Sequence, residues 1–263
     1  MQGFLDRTFL VLGHEGIEAL SAPLIALSGL GGVGGGTFLS LVRSGVKRFR
    51  LAENGVFDPP DMNRQAAAFA STLGRPKIEV YEELARGINP EIEIELFPEG
   101  LLAGNLERFL EGSDVYVGAM DFEKGADVKA KTPDLLKRFN VPLFSSMVLG
   151  FGAALVAHHP EGMMPGEFWG LVRERSAGAD FPTFMSGRFG PAVAERIENS
   201  IAAGKSPSTS IGGAFAGTVL ASEVMVYLLQ GTGLVSREAI FAPRFMVVDP
   251  MRPALEVVDV TAH

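Results

Sequence analysis

Cysteine is absent from this 263-residue sequence. Disulfide bonds, a thiolate nucleophile, iron–sulfur clusters and zinc sites built from four cysteines are therefore excluded for these residues. A mechanism that passes an acyl group to a cysteine of this chain is excluded for the same reason. No other property of the composition restricts the chemistry as much.

Basic charge and long apolar runs are also scarce. The chain has 31 acidic residues against 23 lysines and arginines, which gives a formal net charge of −8. A negative chain disfavours nucleic-acid binding, because phosphate backbones attract basic surfaces. No apolar run reaches the roughly 18 to 20 residues that span a bilayer, and residues 1–15 lack the layout of a signal peptide. We therefore expect a cytoplasmic protein without a membrane partner.

Apolar residues, in contrast, are plentiful. They make up 47% of the chain, and the mean hydropathy is +0.22. This content favours a buried core together with an apolar surface used in oligomerisation, and we expect a homodimer. The length fits one large α/β domain over residues 1–263, in which residues 151–212 form an insertion for substrate and dimer contacts.

Strand-like and helical segments alternate as far as about residue 150. The spacing predicts strands at 24–28, 49–53, 91–97, 114–119 and 141–145, separated by helices at 35–44, 77–86, 101–110 and 128–139, after a first helix at 5–20. Beyond them we expect strands at 151–158, 239–248 and 255–260 and helices at 191–203 and 213–229. The alternation predicts a doubly wound, mainly parallel Rossmann-like sheet that ends in antiparallel strands.

A glycine-rich turn follows the first predicted strand. It reads Gly29-Leu30-Gly31-Gly32-Val33-Gly34 and leads into helix 35–44. Residues without side chains let backbone N–H groups approach a phosphate, and the helix N-terminus adds about half a positive charge. Glu53 ends the next strand, where an acidic side chain accepts hydrogen bonds from ribose hydroxyls. The pattern predicts a nucleotide site, and both ATP and NAD fit it.

Three further charged residues favour the triphosphate. Arg64 and Lys77 follow the Glu53 strand, and Asp121 follows the strand at 114–119. Two cations and one carboxylate suit a triphosphate with its divalent ion better than a dinucleotide.

These motifs resemble the ThiF/MoeB/HesA family, the prokaryotic relatives of ubiquitin-activating enzymes. The resemblance runs from Arg7 to about Gly152 and returns at 212–229. Besides the glycine turn and Glu53, it is carried by Gly16-Ile17-Glu18-Ala19-Leu20, Ser44-Gly45-Val46, Arg64-Gln65, Gly74-Arg75-Pro76-Lys77, Ile88-Asn89-Pro90 and Asp121.

The resemblance implies an enzyme that binds ATP and Mg²⁺ and adenylates a carboxylate, often the C-terminus of a ubiquitin-like carrier or a peptide. It implies that the phosphates are held by Gly29, Gly31, Gly32, Gly34, Arg64 and Lys77, with support from Asn63 and Gln65. It further implies that Glu53 holds the ribose, that Asp121 binds Mg²⁺, and that Arg7 reaches the γ-phosphate in the neighbouring subunit.

The chain also departs from the family pattern. The family's aspartate at the end of the second strand is Glu53 here, one methylene longer, and its second carboxylate after that strand is replaced by Gly55. A family asparagine is replaced by Asp61, and the asparagine after the metal aspartate by Phe122. Asn63, two residues from Asp61, is a candidate substitute for the missing amide. The cysteines used elsewhere in the family for a thioester and for zinc are missing, so we expect adenylation without a cysteine thioester.

Two other functions stay open on these residues. One is an inactive or binding-only relative, in which the glycine turn is structural, Arg64, Lys77 and Arg7 are solvated cations, Glu53 pairs locally and Asp121 caps a turn. The other is an NAD-dependent oxidoreductase, which shares the turn and the acid. The substrate also stays open, because a ubiquitin-like C-terminus, a ribosomal peptide and a tRNA-linked carboxylate present the same reacting group. Met163, Met164, Phe168 and Trp169 are expected in a loop, either as local packing or as a surface for a peptide tail.

Overall fold

The computed structural model describes residues 3–120, 125–176, 190–203, 207–251 and 254–262, without the side chain of residue 149. Its centre is an eight-stranded sheet in the order β3-β2-β1-β4-β5-β6-β7-β8. The strands are β1 Leu24–Ser28, β2 Arg48–Ala52, β3 Glu93–Phe97, β4 Val115–Gly118, β5 Leu143–Leu149, β6 Gly152–His158, β7 Arg244–Asp249 and β8 Ala254–Asp259. The predicted fold class is confirmed.

The sheet has a parallel part and an antiparallel part. Strands β1 to β5 are mutually parallel where they pair, and β1 lies between β2 and β4. Strands β5 to β8 pair in antiparallel fashion, as the closing strands were predicted to do. The chain order reverses on either side of β1, which is where open α/β sheets bind ligands at the carboxyl ends of their strands.

Helices cover both faces of the sheet. They are α1 Asp6–Ser21, α2 Gly32–Ser44, α3 Lys77–Ile88, α4 Leu106–Leu110, α5 Ala126–Phe139, α6 Pro165–Arg175, α7 Pro191–Ala202 and α8 Ser210–Leu228. Successive side chains of a strand point to opposite faces. Ile25 and Leu27 of β1 accordingly pack in one apolar cluster, with α2, α3 and α8, while Ala26 packs in another, with α4 and α5.

One helix lies in a segment predicted to be a loop. In α6, Phe168 and Val172 are buried four residues apart, which is helical spacing. Pro165 stands at the start of α6 and basic residues stand in its last turn, both typical helix signals. Only two apolar positions are buried, so the periodicity in the sequence is weak. Phe168 packs against His158, Trp169 and Phe245, which favours local packing over a peptide surface.

Helix α8 corrects the expectation about apolar length. It has 19 residues with a mean hydropathy of 1.5, long and apolar enough to cross a bilayer by length and composition alone. Glu223 interrupts its apolar residues, so the sequence of α8 is not an unbroken apolar run. In the fold, α8 packs against α2, where Thr37 Oγ1 donates a hydrogen bond to the carbonyl oxygen of Gly217 at 3.1 Å. A Cβ on Gly217 would lie 3.0 Å from the carbonyl oxygen of Val33, so a small residue permits the contact.

The segment at 151–212 contributes first to the sheet and then to its cover. Its opening residues form β6, which is buried along its whole length. Its other described parts include α6, α7 and the start of α8. Its proposed role in substrate and dimer contacts stays a prediction.

Candidate nucleotide-binding site

The glycine turn joins β1 to α2 at the carboxyl edge of the parallel strands. Gly29 has a φ of +84°, a conformation that favours glycine. A Cβ on Gly34 would lie 1.8 Å from the carbonyl oxygen of Gly29, so no other residue fits there without moving the turn. The helix begins at Gly32, three residues earlier than predicted, and no side chain caps its N-terminus in the described chain. The first amides of α2 therefore remain available to an anion.

Glu53 follows β2 and is tied to this turn. Its Oε2 accepts a hydrogen bond from the Leu30 backbone N–H at 2.7 Å, and its Oε1 accepts one from Gly55 N–H at 2.7 Å. A Cβ at position 55 would lie 3.0 Å from Oε1, so Glu53 and Gly55 fit one another. These two departures from the family pattern therefore form a single local arrangement. The predicted contact of Glu53 with ribose stays a prediction.

Lys77 reaches the same edge because residues 55–57 pair with residues 74–77. The backbone N–H of Lys77 donates to the Gly55 carbonyl at 2.9 Å, and that of Phe57 donates to the Arg75 carbonyl at 3.1 Å. The ammonium group of Lys77 lies 5.7 Å from the centroid of the Phe57 ring. Its side chain is only 13% exposed, so its charge is poorly screened by water.

Asp61 is the centre of the charged cluster, which we define as Asp61, Arg64, Gln65 and Lys77. Lys77 Nζ lies 3.0 Å from Asp61 Oδ2, and Arg64 Nη2 lies 3.7 Å from Asp61 Oδ1. Gln65 Nε2 donates to the same Oδ1 at 2.5 Å. Sequence reasoning did not place Asp61 in the site, although its position in the family motif was a usable signal.

Arg64 and Gln65 lie beside the glycine turn. A Cβ added at Gly32 would lie 3.2 Å from Arg64 Cγ, and one added at Gly31 would lie 3.9 Å from Gln65 Nε2. Gln65 is buried, and its Oε1 has no hydrogen-bond partner within the described part of the chain. A buried polar atom without a partner is costly, and Oε1, as an acceptor, could be satisfied only by a donor such as a hydroxyl or amino group, not by a phosphate oxygen.

Asn63 is exposed and supports Arg64 rather than the turn. Its Oδ1 accepts from Arg64 Nη1 at 2.9 Å, and its Nδ2 donates to the Ser208 carbonyl at 3.3 Å. Arg64 Nη1 also donates to the Pro60 carbonyl at 2.9 Å. The guanidinium is thus held by backbone and amide groups as well as by Asp61.

Two predicted residues are not joined to the cluster by any contact that the described ranges contain. Arg7 is exposed at the start of α1, and no contact joins it to the cluster among the residues described. Asp121 lies outside the described residues. Within the described ranges, no group of three or more acidic, histidine or cysteine side chains could hold a metal ion. The assigned roles of Arg7 and Asp121 therefore stay predictions.

Two buried phenols, in the apolar clusters on opposite faces of the sheet, add no charge near the turn. Tyr116 shares a hydrogen bond of 2.9 Å with Ser28 Oγ at the end of β1, and burial raises its pKa to about 12. Burial likewise raises the pKa of Tyr81, whose hydroxyl blocks any Cβ at Gly35. Both groups remain neutral at physiological pH.

The geometry suits a polyphosphate. Arg64 lies against Gly32 at the start of α2, and Lys77 is linked to Arg64 through Asp61, so backbone amides and two cations lie close together. Backbone donors and fixed cations are the groups that bind phosphate oxygens in proteins. ATP therefore fits the residues present.

Comparison with known proteins identifies the family of this chain. The model of the ThiF family matches residues 5–263. A tRNA threonylcarbamoyladenosine dehydratase of Bacillus subtilis is 35% identical over 143 residues, which are 54% of this chain and 55% of that protein. A sulfur carrier protein adenylyltransferase of Thermus thermophilus is 27% identical over 150 residues, 57% of this chain and 54% of that protein.

Solved structures show the same fold. The crystal structure of E. coli MccB with AMPCPP and MccA aligns with a TM-score of 0.70 and 15% identity, covering 98% of this chain and 72% of that one. The structure of E. coli MccB with ATP aligns equally well, at 14% identity and the same coverage. This chain spans about half the length of the two curated relatives named above. From the family match over nearly its whole length, the chain belongs to the ThiF family.

Proposed function

We propose that the protein is an ATP-dependent adenylyltransferase that activates a carboxylate as an acyl-adenylate. The observation that carries the proposal is the charged cluster beside the glycine turn, with Arg64 and Lys77 held next to the amides of α2. The names of the relatives support adenylation as the family's chemistry. An NAD-dependent reaction lacks such support, since those relatives are not oxidoreductases by name.

The chemistry requires no nucleophile from the protein. A carboxylate oxygen of the substrate attacks the α-phosphorus of ATP, the bond to the β-phosphate bridging oxygen breaks, and pyrophosphate leaves with that electron pair. Arg64 and Lys77 neutralise negative charge on the departing oxygens. The amides of the glycine turn hold the phosphates in line for the attack. The products are acyl-AMP and pyrophosphate.

Magnesium belongs to the same proposal. Mg²⁺ binds proteins through one or two carboxylates together with substrate phosphates, and Asp121 is the carboxylate that we assign to it. When bound, the ion would neutralise charge on the phosphate oxygens. Ala119, two residues before Asp121 in the chain, lies directly against the glycine turn, since a Cβ added at Gly29 would be 2.5 Å from the Ala119 carbonyl oxygen.

The substrate that we favour is a peptide or a ubiquitin-like C-terminus. One relative is named as an adenylyltransferase of a sulfur carrier protein, and the structure of MccB was solved together with MccA. Because the chain has no cysteine, the acyl-adenylate would react without a thioester on these residues. A tRNA-linked carboxylate is the second candidate, favoured by the 35% identity with the Bacillus subtilis dehydratase and opposed by the net charge of −8.

A homodimer in the cytoplasm completes the proposal. Leu10 and Val11 of α1 are 75% and 76% exposed, which leaves apolar surface close in sequence to Arg7. Contact between two copies through this surface would cover it and bring Arg7 towards a neighbouring site. Light scattering measures the mass of the particle in solution.

The decisive experiment is ATP–pyrophosphate exchange. The purified protein is incubated with ATP, Mg²⁺ and labelled pyrophosphate, together with peptides, carrier proteins or tRNA as carboxylate donors. Exchange that depends on one donor class supports adenylation and names the substrate class. Tight ATP binding by calorimetry without exchange for any donor would instead favour a binding-only relative. Micromolar NAD binding without an ATP signal would overturn the proposal.

A further inference from the structure

Asp61 places a negative charge where the phosphates of a nucleotide are expected. Its side chain is 11% exposed, and its two oxygens face Lys77 Nζ at 3.0 Å and Arg64 Nη2 at 3.7 Å. Both cations that we assign to phosphate are thus already paired with a carboxylate. An asparagine at this position would have the same shape but no charge.

The charge balance of the cluster follows directly. Lys77 and Arg64 contribute two positive charges and Asp61 one negative charge, so one net positive charge remains. Because Lys77 and Asp61 are nearly buried, water screens this pairing weakly. A triphosphate that binds the same nitrogen atoms must approach the Asp61 carboxylate, and each added phosphate charge increases the repulsion.

The same carboxylate also holds the cluster together. It accepts from Gln65 Nε2 at 2.5 Å on Oδ1 and from the backbone N–H of Asp58 at 3.1 Å on Oδ2. The substitution Asp61→Asn retains one acceptor oxygen and the shape of the side chain, so one of these two bonds can persist. Removal of the charge therefore separates the electrostatic role of Asp61 from most of its packing.

We propose that Asp61 is a positioning residue and the counter-ion of Lys77 and Arg64, an inference that rests on the proposed function. Phosphates that bind these two cations must displace the Asp61 carboxylate from them. It holds the two cations in place in the nucleotide-free protein. It also weakens the binding of polyphosphates in proportion to their charge, and so favours the departure of pyrophosphate after the reaction. ATP affinity in this chain is therefore set below what its two cations alone would give.

Calorimetry with ATP, ADP and AMP at one ionic strength tests the proposal on Asp61→Asn. We expect ATP to bind about tenfold more tightly to the variant, ADP less so, and AMP nearly as before. Asp134→Asn is the matched control, because it removes the same charge from an exposed residue of α5 that is not part of the charged cluster. This control should change each affinity by less than about twofold.

A second variant guards against partial unfolding. Asp61→Ser also removes the charge, and the ratio of ATP affinity to AMP affinity does not depend on the folded fraction, because unfolding lowers both apparent affinities by the same factor. An equal change for ATP and AMP would mean that Asp61 is merely structural and would overturn the inference. Weaker ATP binding in Asp61→Asn would overturn it too. If the wild type binds no nucleotide, the proposed function and this inference both fail. If the wild type binds ATP but the variants have the same ratio of ATP affinity to AMP affinity, only the role of Asp61 is removed.

Discussion

Two regions of this molecule bury charge in different ways. In the C-terminal region, Glu223 of α8 is fully buried, and its oxygens accept hydrogen bonds from Arg237 at 2.9 and 2.5 Å and from the Ile240 N–H at 2.6 Å. In the charged cluster, Asp61 is shared among three side chains, and Gln65 Oε1 has no partner in the described part of the chain. Both oxygens of Glu223 have partners within the fold, whereas the charged cluster retains an acceptor atom without one.

The difference separates a structural ion pair from a binding site. Every bond to Glu223 ties the segment at 237–240 to α8, which leaves nothing for a ligand. The charged cluster lies at the carboxyl edge of parallel strands, beside uncapped helix amides, where an incoming anion meets N–H donors and a net positive charge. We therefore expect substitutions in the first region to change stability and those in the second to change binding.

The largest effect is expected for Arg237→Ala. This change leaves the Glu223 carboxylate buried with only the Ile240 N–H, at a cost of about 3–5 kcal/mol in the free energy of unfolding. ATP affinity should be unchanged in the folded protein. Chemical denaturation measures the loss, and Arg244→Ala, an exposed arginine on β7, is the control with a loss under about 1 kcal/mol. Equal losses for the two variants would break the comparison.

A second test of the C-terminal region uses pH. Burial lowers the pKa of His158 to about 4, while its Nδ1–H donates a hydrogen bond to the Met163 carbonyl oxygen at 2.9 Å. The neutral imidazole stabilises the fold fully above pH 6.5, and this stability is lost as the pH falls from about 6.5 through about 4, because the unfolded chain protonates first. Between about pH 6.5 and pH 4, we expect the free energy of unfolding to fall by about 3 kcal/mol more in the wild type than in the His158→Gln variant.

The free energy of unfolding, measured by urea denaturation at several pH values, gives this difference. His159→Gln changes the neighbouring, half-buried histidine and should retain the wild-type pH dependence. A parallel pH dependence for wild type and His158→Gln would contradict the assignment.

In the charged cluster, Arg64→Ala should weaken ATP binding by about 1.5–3 kcal/mol, since charge-assisted bonds to phosphate are lost. Stability should change by less than about 1 kcal/mol, because the Arg64 side chain is 29% exposed. Calorimetry and denaturation together separate the two effects. Arg43→Ala, on an exposed arginine in the last turn of α2, is the matched control. An unchanged dissociation constant would remove Arg64 from the site.

The smallest effect is expected for Glu53→Gln. Glutamine offers one acceptor oxygen to the N–H groups of Leu30 and Gly55, so one of them loses its partner. We expect a loss of about 1 kcal/mol in stability and a similar loss in ATP affinity, because the turn itself is loosened. Denaturation and calorimetry on the same samples measure both. A loss confined to ATP affinity would indicate a direct contact with the nucleotide instead.

Much of the fold follows from local patterns. The strand at 24–28 was predicted with its observed bounds, and the alternation of segments predicted the parallel sheet. Helix α6 was missed because only two of its positions are buried. Helix α8 was predicted at 213–229 and lies at Ser210–Leu228, but its buried Glu223 depends on Arg237, a partner 14 residues away. Sequence periodicity does not reveal such compensation.

The sequence by itself determined the chemistry that is available: a glycine turn, two cations near it and no cysteine. Only the tertiary structure decided that Asp61 joins those cations and that Glu53 bonds the turn. The physical reason is that residue types are fixed locally, whereas the partner of a buried charge depends on which distant backbone segments meet. Here the pairing of residues 55–57 with 74–77 brings Lys77 to Asp61, and the reach of the longer Glu53 side chain brings its carboxylate to Leu30.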